Sequence, residues 1–157
     1  MRMDESHLRI RGYRDSDFPA VCSLEAGEKR TGYGAGVFVR QAAVLWPATF
    51  FVADHAGAAA GFSVGAQVQG KPREGWIIRL AVQEEYRSRG IGRRLAGTTI
   101  EALRDAGART VLLTVAPHNT AAQSLYRSLG FLPVRRCKDY FAEGEDRDIL
   151  QLNLTEK

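Results

Sequence analysis

Within eight residues near the middle of the chain, Arg87-Ser88-Arg89-Gly90-Ile91-Gly92-Arg93-Arg94 brings together four guanidinium groups, a hydroxyl and two glycines. Guanidinium groups meet phosphate oxygens through planar, multiply hydrogen-bonded contacts. Gly90 and Gly92 carry no Cβ, so the chain can turn sharply and bring its backbone close to a bulky anion. The apolar run Leu80-Ala81-Val82 reads as the end of a strand leading into this turn. After it, Ile91, Leu95, Thr99, Ile100 and Leu103 recur at helical spacing. The turn therefore opens a helix, whose first amides lack backbone partners and carry partial positive charge. The chemistry indicated is anion binding, of a phosphate above all. A P-loop would need a Lys after its second glycine, and a Rossmann loop would need a glycine or alanine at Leu95. Neither pattern is met.

A second group of polar residues lies downstream. Pro117 stops a strand, Asn119 stands where it can cap a helix, and Ala122, Leu125, Tyr126 and Leu129 form that helix's apolar face before Gly130 ends it. Taken by itself, Tyr126 is an aromatic on a core-facing stripe and Asn119 an N-cap.

Stepping outward, the remaining elements follow from periodicity and turn residues. Leu8 to Gly12 alternates as a strand, and Asp15 offers a cap for a short helix to about residue 26. Gly27 to Gly36, with four glycines, reads as a loop before a second helix from about Val37 to Leu45. Thr49 to Asp54 and Ala59 to Gln67 form a hairpin. A turn over residues 70–75 leads to a strand from Trp76 to Val82, and Thr110 to Val115 is the next strand. Phe131 to Arg136 and Asp148 to Leu154 close the chain around an acidic loop at Glu143-Gly144-Glu145-Asp146. The order β-α-α-β-β-β-α-β-α-β-β predicts an α+β fold. We expect a three-layer α/β/α sandwich with about four helices and a mixed, mostly antiparallel sheet of about seven strands. The helix between the strands ending at Val82 and beginning at Thr110 makes those two a parallel pair.

With 157 residues, 45% of them hydrophobic and 25% charged, the chain fits one domain over residues 1–157. No apolar run is long enough to span a bilayer and the N-terminus lacks a signal-peptide core, so a cytoplasmic protein is expected, with no membrane partner. Cys22 and Cys137 stand apart with no Cys/His cluster, which suggests no metal site. The net charge of +4 permits nucleic-acid binding, but the basic residues concentrate at 87–94 without an aromatic-interleaved stripe. A local anionic ligand accounts for them better, and no nucleic-acid partner is expected.

Arg87-x-x-Gly90-x-Gly92 after Leu80-Ala81-Val82, with Val115, Asn119-x-x-Ala122-x-x-Leu125-Tyr126 and Gly130-Phe131, closely resembles the GNAT superfamily of acyl-CoA-dependent N-acetyltransferases. The motif-bearing part runs from about 76 to 131. The resemblance implies that the parallel strands splay and that acetyl-CoA lies between them as cosubstrate. The pantetheine arm would pair with main-chain groups of Leu80, Ala81 and Val82. The pyrophosphate would rest on Arg87, Ser88, Arg89, Gly90, Ile91, Gly92 and Arg93, with Asn119 and Tyr126 also touching the cofactor. It further implies catalytic roles for Tyr126, which would protonate the leaving thiolate, and for Asn119 beside it. Dimers are common in the superfamily, so a homodimer is allowed.

Amide formation from a thioester needs a neutral amine, a donor for the carbonyl oxygen and a proton for the thiolate. A backbone N–H near Val82 suits the second need and Tyr126 the third. For the first, many relatives carry a Glu on the strand before the turn, where this chain has Ile77, Ile78, Arg79 and Leu80. Glu84, Glu85, Glu25 and His55 remain as candidate bases, and a water chain to bulk solvent is preferred to each. The tail Asp139-Tyr140-Phe141-Ala142-Glu143-Gly144-Glu145-Asp146 looks like the loop of ribosomal-protein N-terminal acetyltransferases, yet Thr114 stands where those enzymes typically carry a Glu. A small amine or amino-acid-like acceptor is the first expectation, with a pocket made by the 27–36 loop, the second helix and the acidic tail. Protein N-terminal acetylation is the alternative, and a non-catalytic acyl-CoA sensor is the alternative of another class.

Overall fold

The computed structural model describes residues 5–27 and 32–155. Among the described residues, seven strands and four α-helices follow one another in the expected order: β1 (Leu8–Gly12), α1 (Phe18–Ala26), α2 (Gly32–Leu45), β2 (Phe50–His55), β3 (Ala58–Val68), β4 (Lys71–Val82), α3 (Ile91–Asp105), β5 (Thr110–Val115), α4 (Thr120–Ser128), β6 (Leu132–Cys137) and β7 (Arg147–Asn153). The strands form one sheet in the order β1-β2-β3-β4-β5-β7-β6. Of its neighbouring pairs only β4 and β5 run parallel. No described helix is long and apolar enough to cross a membrane.

Helices cover both faces, as the two-sided apolar patterns of the central strands require. On one face Val21 of α1 and Val39 and Ala42 of α2 pack on Phe50, Val52, Phe62 and Val64. On the other, α3 presents Ala96, Ile100 and Leu103 along a single stripe against Ile77, Val111 and Leu113, and Tyr126 and Phe131 extend that cluster.

Three boundaries differ from the sequence reading. The helix expected from Val37 begins at Gly32, so Gly34 and Gly36 lie inside α2 rather than in a loop. Tertiary packing outweighs glycine's low helix propensity here, since Ala35, Val39 and Ala42 are all buried on α1 and the sheet. The rest of that expected loop, residues 28–31, falls outside the described residues. The turn expected over 70–75 shrinks to its start at Gly70, which takes φ +83°, and β4 runs from Lys71 as a long hairpin with β3. At the start of α1 the N-cap position falls on Asp17, not Asp15, and its side chain turns back to the preceding turn instead of capping the helix. Its carboxylate accepts the Arg14 N–H at 2.8 Å and both terminal nitrogens of Arg11. Arg11 also donates Nε–H to Asp54 on β2, so one guanidinium ties β1, β2 and the entry to α1 together.

Candidate active site

A wedge-shaped opening in the sheet arises from a mismatch in pairing. β4 pairs with β5 only through Glu74, Gly75 and Trp76, opposite Thr110, Val111 and Leu112. Just beyond, Gly65 of β3 faces Ile77 while Val64 faces Arg79, so Ile78 is an extra residue in β4. Such a bulge bends and twists a strand. β5 continues along β7 to Val115 and β4 continues along β3 to Val82, leaving a cleft between them.

The strand edge facing this cleft can be read from its hydrogen bonds. Gln83 donates its N–H to the Ala60 carbonyl on β3 at 2.8 Å. Main-chain directions alternate along a strand, so Ala81 also addresses β3, and Leu80 and Val82 turn their N–H and C=O groups toward the cleft. The Val82 carbonyl accepts Nε–H of Arg87 at 3.2 Å.

At the cleft's mouth the anion turn is built as its residue types demand. Ser88 and Gly90 take left-handed φ values of +63° and +78°, which curl the chain between them into a concave turn. Gly90 is the N-cap of α3 and offers no side chain to its amides; the first helical bond runs from Arg94 N–H to the Gly90 carbonyl. The N–H groups of Ile91, Gly92 and Arg93 are thus left without helical partners at the positive end of a 15-residue helix. Arg87, Ser88, Arg89 and Gly90 are exposed around them. Residues 87–93 fit a pyrophosphate: open donors, positive charge and no Cβ at the tightest point.

The two glycines divide the work differently from the first reading. A Cβ on Gly90 would meet open space, so this glycine serves the backbone turn. A Cβ on Gly92 would lie 3.3 Å from Leu125 Cδ2 and 3.7 Å from Leu80 and Val82 side chains. Gly92 lets α3 close on α4 and β4 at the apex of the cleft. Arg93 turns its guanidinium to Ser128 on α4, so toward an anion it presents its main-chain N–H. Arg94 lines a groove between α3 and β1 together with Arg9 and Glu101.

Asn119 and Tyr126 are placed by α4. Asn119 Oδ1 accepts the Ala122 N–H at 3.1 Å as an N-cap. Tyr126 is 8% exposed and meets Phe131 edge-on at 5.7 Å. Its hydroxyl has no hydrogen-bond partner among the described residues. Burial pushes the phenol up to about 12, against the opposing pull of Arg79 and Arg147. It is a protonated acid throughout the physiological range.

The candidate bases fall in different places. Glu84 and Glu85 are exposed, and Glu85 accepts a hydrogen bond from Gln83. His55 sits on the far end of β2, 3.5 Å from the Tyr86 hydroxyl and under the 84–86 turn. Glu25 is buried on α1 and paired with Arg79 of β4. Sequence reasoning passed over two groups that matter here, Arg79 and Arg147. Arg147 donates from Nε to the Thr114 hydroxyl at 3.1 Å and from Nη to the Thr114 carbonyl, and its guanidinium lies 5.1 Å from the centre of the Phe141 ring. The alternation of β7 gave no sign of it, because the contact is to the neighbouring strand β5, whose pairing with β7 is not local in sequence. The acidic tail is spent partly on itself: Asp146 accepts the Asp139 N–H and Asp139 accepts the Gly144 N–H. No group of three or more His, Cys, Asp or Glu side chains that could hold a metal occurs among the described residues.

A splayed parallel pair with an uncapped helix N-terminus at its mouth and a buried tyrosine on the adjoining helix is the arrangement that the sequence resemblance implies for an acyl-CoA-using transferase. The Acetyltransferase (GNAT) family matches residues 12–131, and the chain belongs to that family. It is an acyl-CoA N-acetyltransferase. It is 31% identical over 153 residues to N-alpha-acetyltransferase MAK3 of Arabidopsis thaliana, across 95% of this chain and 79% of the relative. It is also 31% identical over 148 residues to an N-alpha-acetyltransferase of Sulfurisphaera tokodaii, across 88% of each chain. Among solved structures, Ard1 from Thermoplasma volcanium superposes with a TM-score of 0.84 at 24% identity, covering 96% of this chain and 99% of the other.

Proposed function

We propose that the protein transfers an acetyl group from acetyl-CoA to the free α-amine at the N-terminus of a peptide or protein. The observation that carries the acceptor is the likeness, over about nine-tenths of the chain, to two proteins named N-alpha-acetyltransferases. It favours the peptide N-terminus over the small amine placed first by sequence, and membership in an enzyme family sets the sensor reading aside.

The donor half rests on the cleft. Acetyl-CoA supplies the activated acyl group; its pyrophosphate suits the amides of 88–93 with Arg87 and Arg89, and its pantetheine arm suits the Leu80 and Val82 edge. Binding along a rigid strand edge orients the thioester toward Tyr126. A cleft-facing N–H of Leu80 or Val82 donates to the carbonyl oxygen as negative charge develops there. Tyr126, held protonated by burial, gives its proton to the departing thiolate. Asn119 fixes the start of the helix that carries Tyr126.

The amine must arrive neutral. Glu25 is already paired with Arg79, and Thr114 is engaged by Arg147, so we assign proton removal to water leading out of the open cleft. The test is incubation with acetyl-CoA and a mixture of free-N-terminal peptides and simple amines, with fragmentation mass spectrometry to find the acetylated nitrogen. Acetylation of peptide α-amines supports the proposal. Thiol release driven by simple amines alone overturns it.

A further inference from the structure

The charge around Tyr126 exceeds what acetyl transfer to an amine requires. Beyond Trp76 and Leu112, the last paired residues of β4 and β5, Arg79 follows across the Ile78 bulge on one wall of the cleft and Thr114, held by Arg147, follows on the other, so the two guanidinium groups arise from opposite walls beside Tyr126. Their donors are incompletely used. Arg79 gives Nε–H to Glu25, while its two Nη groups have no hydrogen-bond partner among the described residues. Arg147 gives Nε and one Nη to Thr114, and its other Nη is likewise unengaged among them. By contrast, Arg11, whose side chain is 14% exposed against 37% for Arg79, spends both Nη groups and Nε on two carboxylates. Glu25 offsets one of the two cleft cations. Glu145, which also acts on Arg147, is exposed and so screened by solvent.

An acceptor that brought only an ammonium into this space would meet two guanidinium groups and satisfy none of their free N–H donors. A carboxylate would satisfy both, since the guanidinium fork matches its two oxygens. We infer that the acceptor carries a carboxylate close to the reacting amine, held between Arg79 and Arg147, and that it is an Asp or Glu side chain at the first position of the peptide. This rests on the peptide N-terminus as acceptor. The same two cations favour loss of the proton from the incoming amine, which eases the lack of a dedicated base. A free amino acid would present the same chemistry through its α-carboxylate.

Conjugates in which CoA is joined through an acetyl linker to the acceptor test this by binding alone, with no turnover needed. Wild-type protein should bind a CoA-acetyl-Glu-peptide about tenfold more tightly than its Gln counterpart. In Arg147→Gln and Arg79→Gln the preference should fall to about twofold or less, with the affinity for CoA itself unchanged; Arg79→Lys should restore part of it. Equal binding of the Glu and Gln conjugates by the wild type overturns the inference, whether or not either variant folds, unless CoA-acetyl-glycine binds more tightly than its amide. That result would keep the carboxylate site but assign it to a free amino acid. Failure of the peptide reading is seen separately, as absence of acetylation of unconjugated Glu- and Gln-peptides.

Discussion

Arg79 donates its Nε–H to the Glu25 carboxylate, joining the second helical layer to the bulged strand that floors the cleft. Glu25 is 6% exposed whereas the Arg79 side chain is 37% exposed, so the pair is buried on one side and solvated on the other. Glu25→Gln keeps the shape and removes the charge. It should lower stability by about 1–2 kcal/mol, between the values for exposed and fully buried pairs. Turnover should change less than about threefold, because the carboxylate is a structural partner; general-base loss would cost about a hundredfold or more. Denaturant unfolding and steady-state kinetics on the same preparation decide between them.

Tyr126→Phe removes the proposed acid with little change in packing. Turnover should fall about 100-fold while the KM for acetyl-CoA stays within about twofold. The pH profile carries a sharper signature. Because burial raises the phenol to about 12, the acid form persists in alkali, and wild-type kcat/KM should rise as the acceptor amine deprotonates and then stay level past pH 10. A descending limb near pH 8 or 9 would point to a different acid.

Arg11 holds Asp17 and Asp54 below the usual carboxylate range, chiefly through its side-chain hydrogen bonds to them. Groups with depressed values stabilise the fold above their unfolded pKa, near 3.9, and lose that stabilisation as pH falls through the folded value. Arg11→Met should cost about 3 kcal/mol at pH 7, leaving two partly buried carboxylates without their cation. The difference from wild type should shrink on acidification below about pH 4, as seen in unfolding curves measured from pH 7 to pH 2.

Three glycines around the cleft should respond in a fixed order. A Cβ at Gly61 would sit 2.7 Å from the Ala81 carbonyl oxygen, which belongs to the sheet and cannot swing away. Gly61→Ala should therefore be the most destabilising, by about 2–3 kcal/mol. Gly90→Ala should cost about 1 kcal/mol for its left-handed backbone and should raise the KM for acetyl-CoA. Gly92→Ala needs only a few tenths of an ångström from Leu125 and should fall below both in stability cost. Thermal unfolding of the three variants ranks them.

The local structure of the candidate donor half was legible in the sequence because its signals are local. Glycine and arginine spacing at 87–94, the Asn119 cap and the Tyr126 stripe each lie within one turn or helix, where residue type dictates geometry. The parallel pair followed from the single helix between β4 and β5, whereas the insertion of β7 between β5 and β6 is set by long-range pairing. The bulge at Ile78 left no mark in the sequence pattern, since an extra residue is visible only against β3. The Glu25–Arg79 and Arg147–Thr114 contacts join positions far apart in the chain, so Arg79 read only as the absence of a base and Arg147 carried no signal. Gly34 and Gly36 misled because helix propensity is a small term beside the burial of Ala35 and Val39.

The most direct test is a crystal structure with CoA joined through an acetyl linker to a peptide beginning with Glu. The pyrophosphate should lie on the amides of 88–93, the sulfur beside the Tyr126 hydroxyl, and the peptide nitrogen in the cleft between β4 and β5. The first side chain should reach Arg79 and Arg147. A sulfur remote from Tyr126, or a peptide leaving the cleft without passing between those arginines, would contradict the account.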